Sequence, residues 1–188
     1  MDAHAAGAVR VGFRQPGLSI QTVPPSAPVR AWRYWQLSPR QLLRSVSRRH
    51  VEWVPGRVLH AGCAPGGHPA PEPTCNCGIS GARDLDSLRT YGLCVAPGPL
   101  VVGEVDLWGR LVPDIYGWRG EYARPVSLAL AEGTVPDEAE EQAVLSALAA
   151  YGVPVTSIPL DEAVAGVTAA TLAFQVMSSR AGRAGDGA

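Results

Sequence analysis

Four side chains with the chemistry of metal ligands, Cys63, His68, Cys75 and Cys77, lie within one fifteen-residue stretch. Four residues separate Cys63 from His68, and Asn76 alone separates Cys75 from Cys77. Three soft thiolates and an imidazole form a donor set that suits a tetrahedral Zn2+ ion. Pro65, Pro69, Pro71 and Pro73 stiffen the stretch, which has little apolar surface with which to order itself. A metal ion supplies that order, so these four residues are the expected ligands. His60 and Cys94 are the reserve ligands should His68 point outward. A disulfide between Cys75 and Cys77 would close a very small, strained ring. The alternatives to a metal are inert buried thiols beside a solvent-facing histidine, or redox use of the cysteines.

A catalytic zinc needs an open coordination position and a nearby acid–base. His68, Glu72, Pro73, Cys75 and Cys77 have the residue types of the His-x-Glu and Pro-Cys-x-x-Cys signature of zinc deaminases. The spacing excludes that chemistry, because Glu72 follows His68 by four positions rather than two and a single residue parts the cysteines. The chain has no lysine, so no Gly-x-x-x-x-Gly-Lys phosphate loop exists, and no Gly-x-Ser-x-Gly elbow is present. The remaining candidate acid–base pair is Glu104 and Asp106. They share one face of an expected strand over residues 100–108, roughly 7 Å apart. The simpler reading of that pair is an acidic face bound to arginines.

A net charge of -1 conceals an asymmetry. Residues 1–60 hold nine arginines against Asp2 and Glu52, whereas residues 61–188 hold seven against fifteen acids. A basic amino-terminal portion suits nucleic acid or an acidic protein partner, and every cationic contact in it is a planar guanidinium. The arginines assigned to such a surface are Arg33, Arg44, Arg48 and Arg49. Trp118 and Arg119 join them from an expected strand over 115–123, where Tyr116, Trp118 and Tyr122 align for stacking. The competing assignment places these aromatics in a core and uses the arginines to solvate a surface or pair with the acidic half.

These residues must be positioned by short elements, because 21 glycines and 17 prolines punctuate the chain. Period-two and turn signals predict strands over 31–37, 50–54, 57–61, 100–108, 110–112, 115–123 and 126–131. A short strand is also expected near 9–14. A brief helix over 41–47, capped by Ser38, and another over 82–91 complete the block. Beyond residue 134 the pattern changes to helices, one opening at Asp137 with acids in its first turn and a second over 161–176, with an extended run over 153–158 between them. Four cysteines without a secretory signal imply a reducing, cytoplasmic setting. Residues 163–179 lack charge but fall short of the roughly 20 apolar residues of a bilayer span, so a buried helix is expected there and no membrane association.

Trp53-Val-Pro-Gly56, Ala61-Gly-Cys63, His68-Pro-Ala-Pro71 and Cys75-Asn-Cys-Gly78, followed by a short helix, resemble a pattern in uncharacterised bacterial proteins. Aromatic strands follow there too, as in residues 103–109 and 117–123. The resemblance covers about residues 50–130. It implies that the Cys/His set acts as one unit and carries no known activity.

The expected protein is α+β: a β-rich small barrel or rolled antiparallel sheet with a zinc-stapled loop and two C-terminal helices. Its expected parts are a loosely ordered arm over 1–28, the zinc-stapled domain over 29–131, a helical segment over 132–178 and a disordered tail over 179–188. The expected function is a non-enzymatic binding or regulatory module touching nucleic acid or a protein. The alternative is a small metal-dependent enzyme using Glu104 or Asp106.

Overall fold

A computed structural model describes residues 19–46, 50–64, 66–92 and 98–165. The first six strands are β1 (Gln21–Val23), β2 (Val29–Leu37), β3 (Leu43–Ser45), β4 (Glu52–Trp53), β5 (Leu59–His60) and β6 (Ile79–Ala82). Helix α1 (Leu85–Tyr91) precedes the long strands β7 (Leu100–Asp114) and β8 (Gly117–Ala131). Helix α2 (Glu138–Ala149), strand β9 (Val155–Ile158) and the single turn α3 (Leu160–Ala163) follow. The fold is α+β, with the nine strands in one large sheet that is antiparallel except where β9 runs parallel to β8.

The hairpin of β7 and β8 is the spine of that sheet. Residues 100–114 alternate between two cores: Val101, Val105, Leu107 and Leu111 join one apolar cluster, while Leu100 and Val102 join the other. The expected breaks at Gly109 and Pro113 do not occur, and two 15-residue strands form instead of four short ones. Gly109, at φ 78°, provides the extra residue of a bulge opposite Glu121 rather than a turn. Pro125 sits at the second register shift, where a strand tolerates a residue without an N–H. These two irregularities let so long a hairpin coil. β2 pairs with the first half of β7, β6 with the start of β8, and a single pair, Trp32 with Ala82, joins β2 to β6. The sheet is therefore rolled and is not a true barrel.

Of the helix expected over 41–47, the described residues 41–46 form none. Leu43–Ser45 returns as β3 against β2, and β4 pairs with β3 in turn. Ser38 closes the connection, its backbone N–H donating to the Leu42 carbonyl at 2.9 Å. The alternation in β3 buries Leu43 and Ser45 and leaves Arg44 half-buried, so strand pairing overrides the local helical signal. Trp35 and Trp53, both buried, meet edge to face with centroids 5.4 Å apart.

The segment after residue 131 is not set apart from the sheet. Asp137 caps α2 by accepting from the Glu140 N–H at 2.8 Å. Val144, Leu148 and Tyr151 then enter the same core as Trp35 and Trp53. The Tyr151 hydroxyl donates to the Trp53 carbonyl at 2.6 Å and accepts from the Leu43 N–H at 2.8 Å, tying the end of this segment to β3 and β4. Burial holds its pKa above the usual phenol range. Of the second expected helix, residues 160–163 form one turn, and residues 166–188 lie outside the described residues, as does the strand expected near 9–14. No helix among the described residues is long and apolar enough to cross a membrane.

Candidate metal centre

Strand β5 delivers the first ligand. Its register against β8 continues through the Ala61 N–H, which donates to the Glu121 carbonyl at 2.7 Å, and Cys63 follows two residues on. The Gly66 N–H closes a turn onto the Cys63 carbonyl at 3.0 Å, and the positive φ angles of Gly66 and Gly67 bring the chain back so that His68 faces Cys63. A second turn, from the Cys75 N–H to the Glu72 carbonyl at 3.1 Å, presents Cys75 and Cys77 just before β6 begins. Gly78, at φ 112°, makes the exit into that strand. A Cβ there would stand 2.8 Å from the Pro71 Cβ and 3.1 Å from the Arg119 Cβ.

The four ligand atoms lie within 4.8 Å of one another and form a Cys/His cluster that could coordinate a metal ion. Cys63 Sγ is 3.8 Å from Cys75 Sγ and 3.4 Å from His68 Nε2. A tetrahedral ion with metal–sulfur bonds of about 2.3 Å and a metal–nitrogen bond of about 2.0 Å spans edges of about 3.8 and 3.5 Å. The two Cys63 edges thus match a tetrahedral shell. His68 Nδ1 stands 3.2 Å from the Pro69 carbonyl. A carbonyl only accepts, so the tautomer with its proton on Nδ1 satisfies this contact and leaves the Nε2 lone pair for a metal. The same bond raises the pKa of His68.

The thiols differ in acidity. The Cys77 backbone N–H beside its sulfur lowers the pKa of Cys75 to about 7, with the sulfurs of Cys77 and Cys63 and the His68 ring adding to the effect. Cys77 lies in the core cluster, and burial pushes its thiol up. One ligand is therefore primed as thiolate while another anchors the loop among apolar side chains.

Arg119, assigned from sequence to phosphate contact, serves the loop instead. Its side chain is 9 % exposed, and one nitrogen, Nη1, donates to the carbonyls of Glu72 at 3.2 Å, of Cys77 at 2.9 Å and of Cys75. The residue lies on the strand that pairs with β6, so the sheet itself carries the cation beneath the cysteines. Nothing local in residues 115–123 distinguishes this role from an exposed one. Period-two alternation sets Arg119 on the face opposite Trp118, and only the β6–β8 pairing says what covers that face.

Among the other expected contact residues, Arg33 turns inward. Arg33 is 8 % exposed, donates to Ser45 Oγ at 2.8 Å and to the Ser80 carbonyl, and stands 5.4 Å from the Trp53 ring. It is an interior residue, because β2 is covered on both faces. Arg44 is half-buried in the β3–β4 pairing, and Arg48 and Arg49 lie outside the described residues. Trp118 is half-buried under Arg83, whose Cζ is 5.8 Å from the ring. His60 is exposed, stacks on Tyr122 at 4.8 Å and faces the Glu121 carboxylate at 3.6 Å, apart from the ligand group. Cys94 lies outside the described residues.

Glu104 and Asp106 do not belong to the ligand group either. Asp106 accepts from Arg30 Nε at 2.9 Å and from Arg124 at 3.2 and 3.3 Å, and Glu104 accepts from Arg30 at 3.4 Å and Ser127 Oγ at 3.2 Å. Both carboxylates are occupied by arginine, as an acidic face paired with cations requires. A cleft of about 560 Å³ borders Cys63 and is lined by Arg33, Asn76, His50 and His60, with no carboxylate among its described residues.

Compared with family models, curated proteins and solved structures, the chain matches none. What its site can do therefore rests on its own geometry.

Proposed function

We propose that this chain is a non-enzymatic binding module whose Cys63–Cys77 loop is stapled by zinc. The observation that carries the proposal is the group of four protein donors within 4.8 Å of one another. Four protein ligands fill a tetrahedral shell and leave no position for a reactive water, the arrangement of structural rather than catalytic zinc. The sulfur-rich donor set favours zinc over the harder divalent ions. Arg119 supports the same reading, since it holds the loop carbonyls from inside the fold and leaves the ion to fix the outer side. The enzyme alternative lacks its base, because Glu104 and Asp106 are engaged by Arg30, Arg124 and Ser127.

The partner surface of the module is the arginine-bearing side. With Arg33 and Arg119 serving the interior, the exposed cations among the described residues that suit a nucleic acid or acidic protein include Arg30, Arg40, Arg57, Arg83 and Arg124, the last beside the stacked rings of Tyr122 and Trp108. Elemental analysis of the purified chain is expected to give one zinc per molecule, lost in Cys75→Ser. A chain that binds no zinc ends the proposal. Binding to single- or double-stranded oligonucleotides should weaken steeply between 50 and 200 mM salt; no binding at low salt removes nucleic acid as the partner.

A further inference from the structure

On the side of the sheet where β7, β8 and the turn after β4 meet, three arginines surround one cleft. Its volume is about 510 Å³, within the roughly 300–1,000 Å³ of small-ligand sites. Arg30, Arg57 and Arg124 supply its charge, and Val54, Val58 and Val153 its apolar lining. None of these residues belongs to the Cys/His loop, so the site stands whether or not that loop holds zinc.

Asp106 makes this a built arrangement rather than a scatter of surface cations. Its side chain is 5 % exposed, while those of Arg30 and Arg124 are 49 % and 58 % exposed. One carboxylate oxygen accepts from Arg30 Nε at 2.9 Å, and the other accepts from Arg124 Nη2 at 3.2 Å and Nε at 3.3 Å. A buried anion thus orients two outward-facing guanidinium groups, each with N–H donors left over, because an arginine carries five. Arg124 is held a second time, with Cζ 5.9 Å from the Trp108 ring. Arg57 follows the Pro55–Gly56 turn, is exposed, and has no ion-pair partner among the described residues. Ion pairing with Asp106 and Glu104 engages Arg30 and Arg124 and leaves Arg57 as the cation of the cleft that no described carboxylate pairs.

We propose that the cleft formed by Arg30, Arg57 and Arg124 binds a small organic anion: a carboxylate or phosphate monoester carrying an apolar body. Forked N–H pairs match either headgroup, and donors already fixed by Asp106 and Trp108 cost little ordering on binding. The exposed Val54 and Val58 at the mouth cover the body of the ligand.

The test titrates the full, zinc-checked chain with phenyl phosphate, phenylacetate and inorganic phosphate by calorimetry, and follows the Trp108 indole N–H by NMR. One of the two organic anions should saturate at one site per chain and shift the Trp108 signal. Inorganic phosphate, lacking the body, should bind more weakly. Preference for phenyl phosphate identifies a phosphate ligand and the reverse preference a carboxylate. Arg57→Gln and Arg124→Gln should each weaken binding at least tenfold. Arg57 holds no ion pair in the fold, so its variant retains zinc and circular dichroism and isolates the site. Failure of both organic anions to saturate, or unchanged affinity in Arg57→Gln, overturns the proposal. Loss of zinc from the parent chain would count against the metal reading alone.

Discussion

Residues 100–131 and residues 63–78 reach order by opposite means. In the β7–β8 hairpin, buried apolar side chains alternate between two cores and the backbone groups satisfy one another across the ladder. In the loop, Ala70 and Cys77 join the core that holds Val101 and Leu107, with Cys63 and Cys75 packed against it. Three of the loop's carbonyls turn inward to a single cation, Arg119, and its four donor atoms turn towards one another. Hydrophobic burial is non-directional and tolerates a bulge at Gly109. A ligand shell and a guanidinium fork are directional and tolerate little. The lesson is that the loop is the conditional part of the molecule, and the hairpin is the part that gives it a place to sit.

If the loop is stapled by zinc as proposed, removing the metal is the largest way to separate the two regions. A chelator, or Cys77→Ala, should forfeit on the order of 10 kcal/mol of binding-linked free energy. Hydrogen exchange should then show residues 63–78 losing protection while the central amides of β7 and β8 keep theirs. Simultaneous loss in both would break the contrast and make the ion a requirement of the whole sheet.

Arg119→Met comes next, at about 3–5 kcal/mol by denaturant unfolding, because buried carbonyls lose a charged donor. The variant should also bind zinc more weakly than the parent.

Tyr151→Phe tests the apolar core that the hairpin shares with β3 and β4, without touching the ligand residues. It should cost about 1–3 kcal/mol in thermal or denaturant unfolding, since the Leu43 N–H and Trp53 carbonyl lose their buried partner, with zinc content unchanged.

The smallest effect concerns protons. With Cys75 lowered to about 7 and Cys77 raised, iodoacetamide should modify Cys75 first in the metal-free chain. Its rate should climb as pH passes through about 7, and Cys77 should follow only in more alkaline solution. A depressed pKa means that the fold favours the thiolate. That preference is complete above the ordinary thiol range and is lost as pH falls through about 7. Equal reactivity of the two cysteines across this window would contradict the asymmetry within the cluster.

Much of this contrast was legible from the chain alone. Period two in residues 100–108 marked Val101, Val105 and Leu107 as core, and Asp137 with its following acids marked the start of α2. The ligand set was legible because cysteine and histidine carry their chemistry with them. Glycine and proline misled at Gly109 and Pro125, where a bulge or a register shift absorbs a residue that elsewhere would end a strand, and at Pro113, which pairs in register with Trp118 one residue before the strand ends. The 41–47 segment misled because Ser38-Pro39 opens a helix and a hairpin equally well, and pairing with β2 decides between them.

Composition and spacing by themselves determined the α+β character, the four candidate ligands and the apolar stripe of the hairpin, because each is a property of neighbours along the chain. Only the tertiary structure decided the fate of the arginines. A guanidinium reads the same in sequence whether it faces solvent, a carboxylate or three carbonyls. Arg33 and Arg119 went to the interior, and Arg30 and Arg124 were fixed around Asp106, because strands distant in sequence brought those acceptors to them.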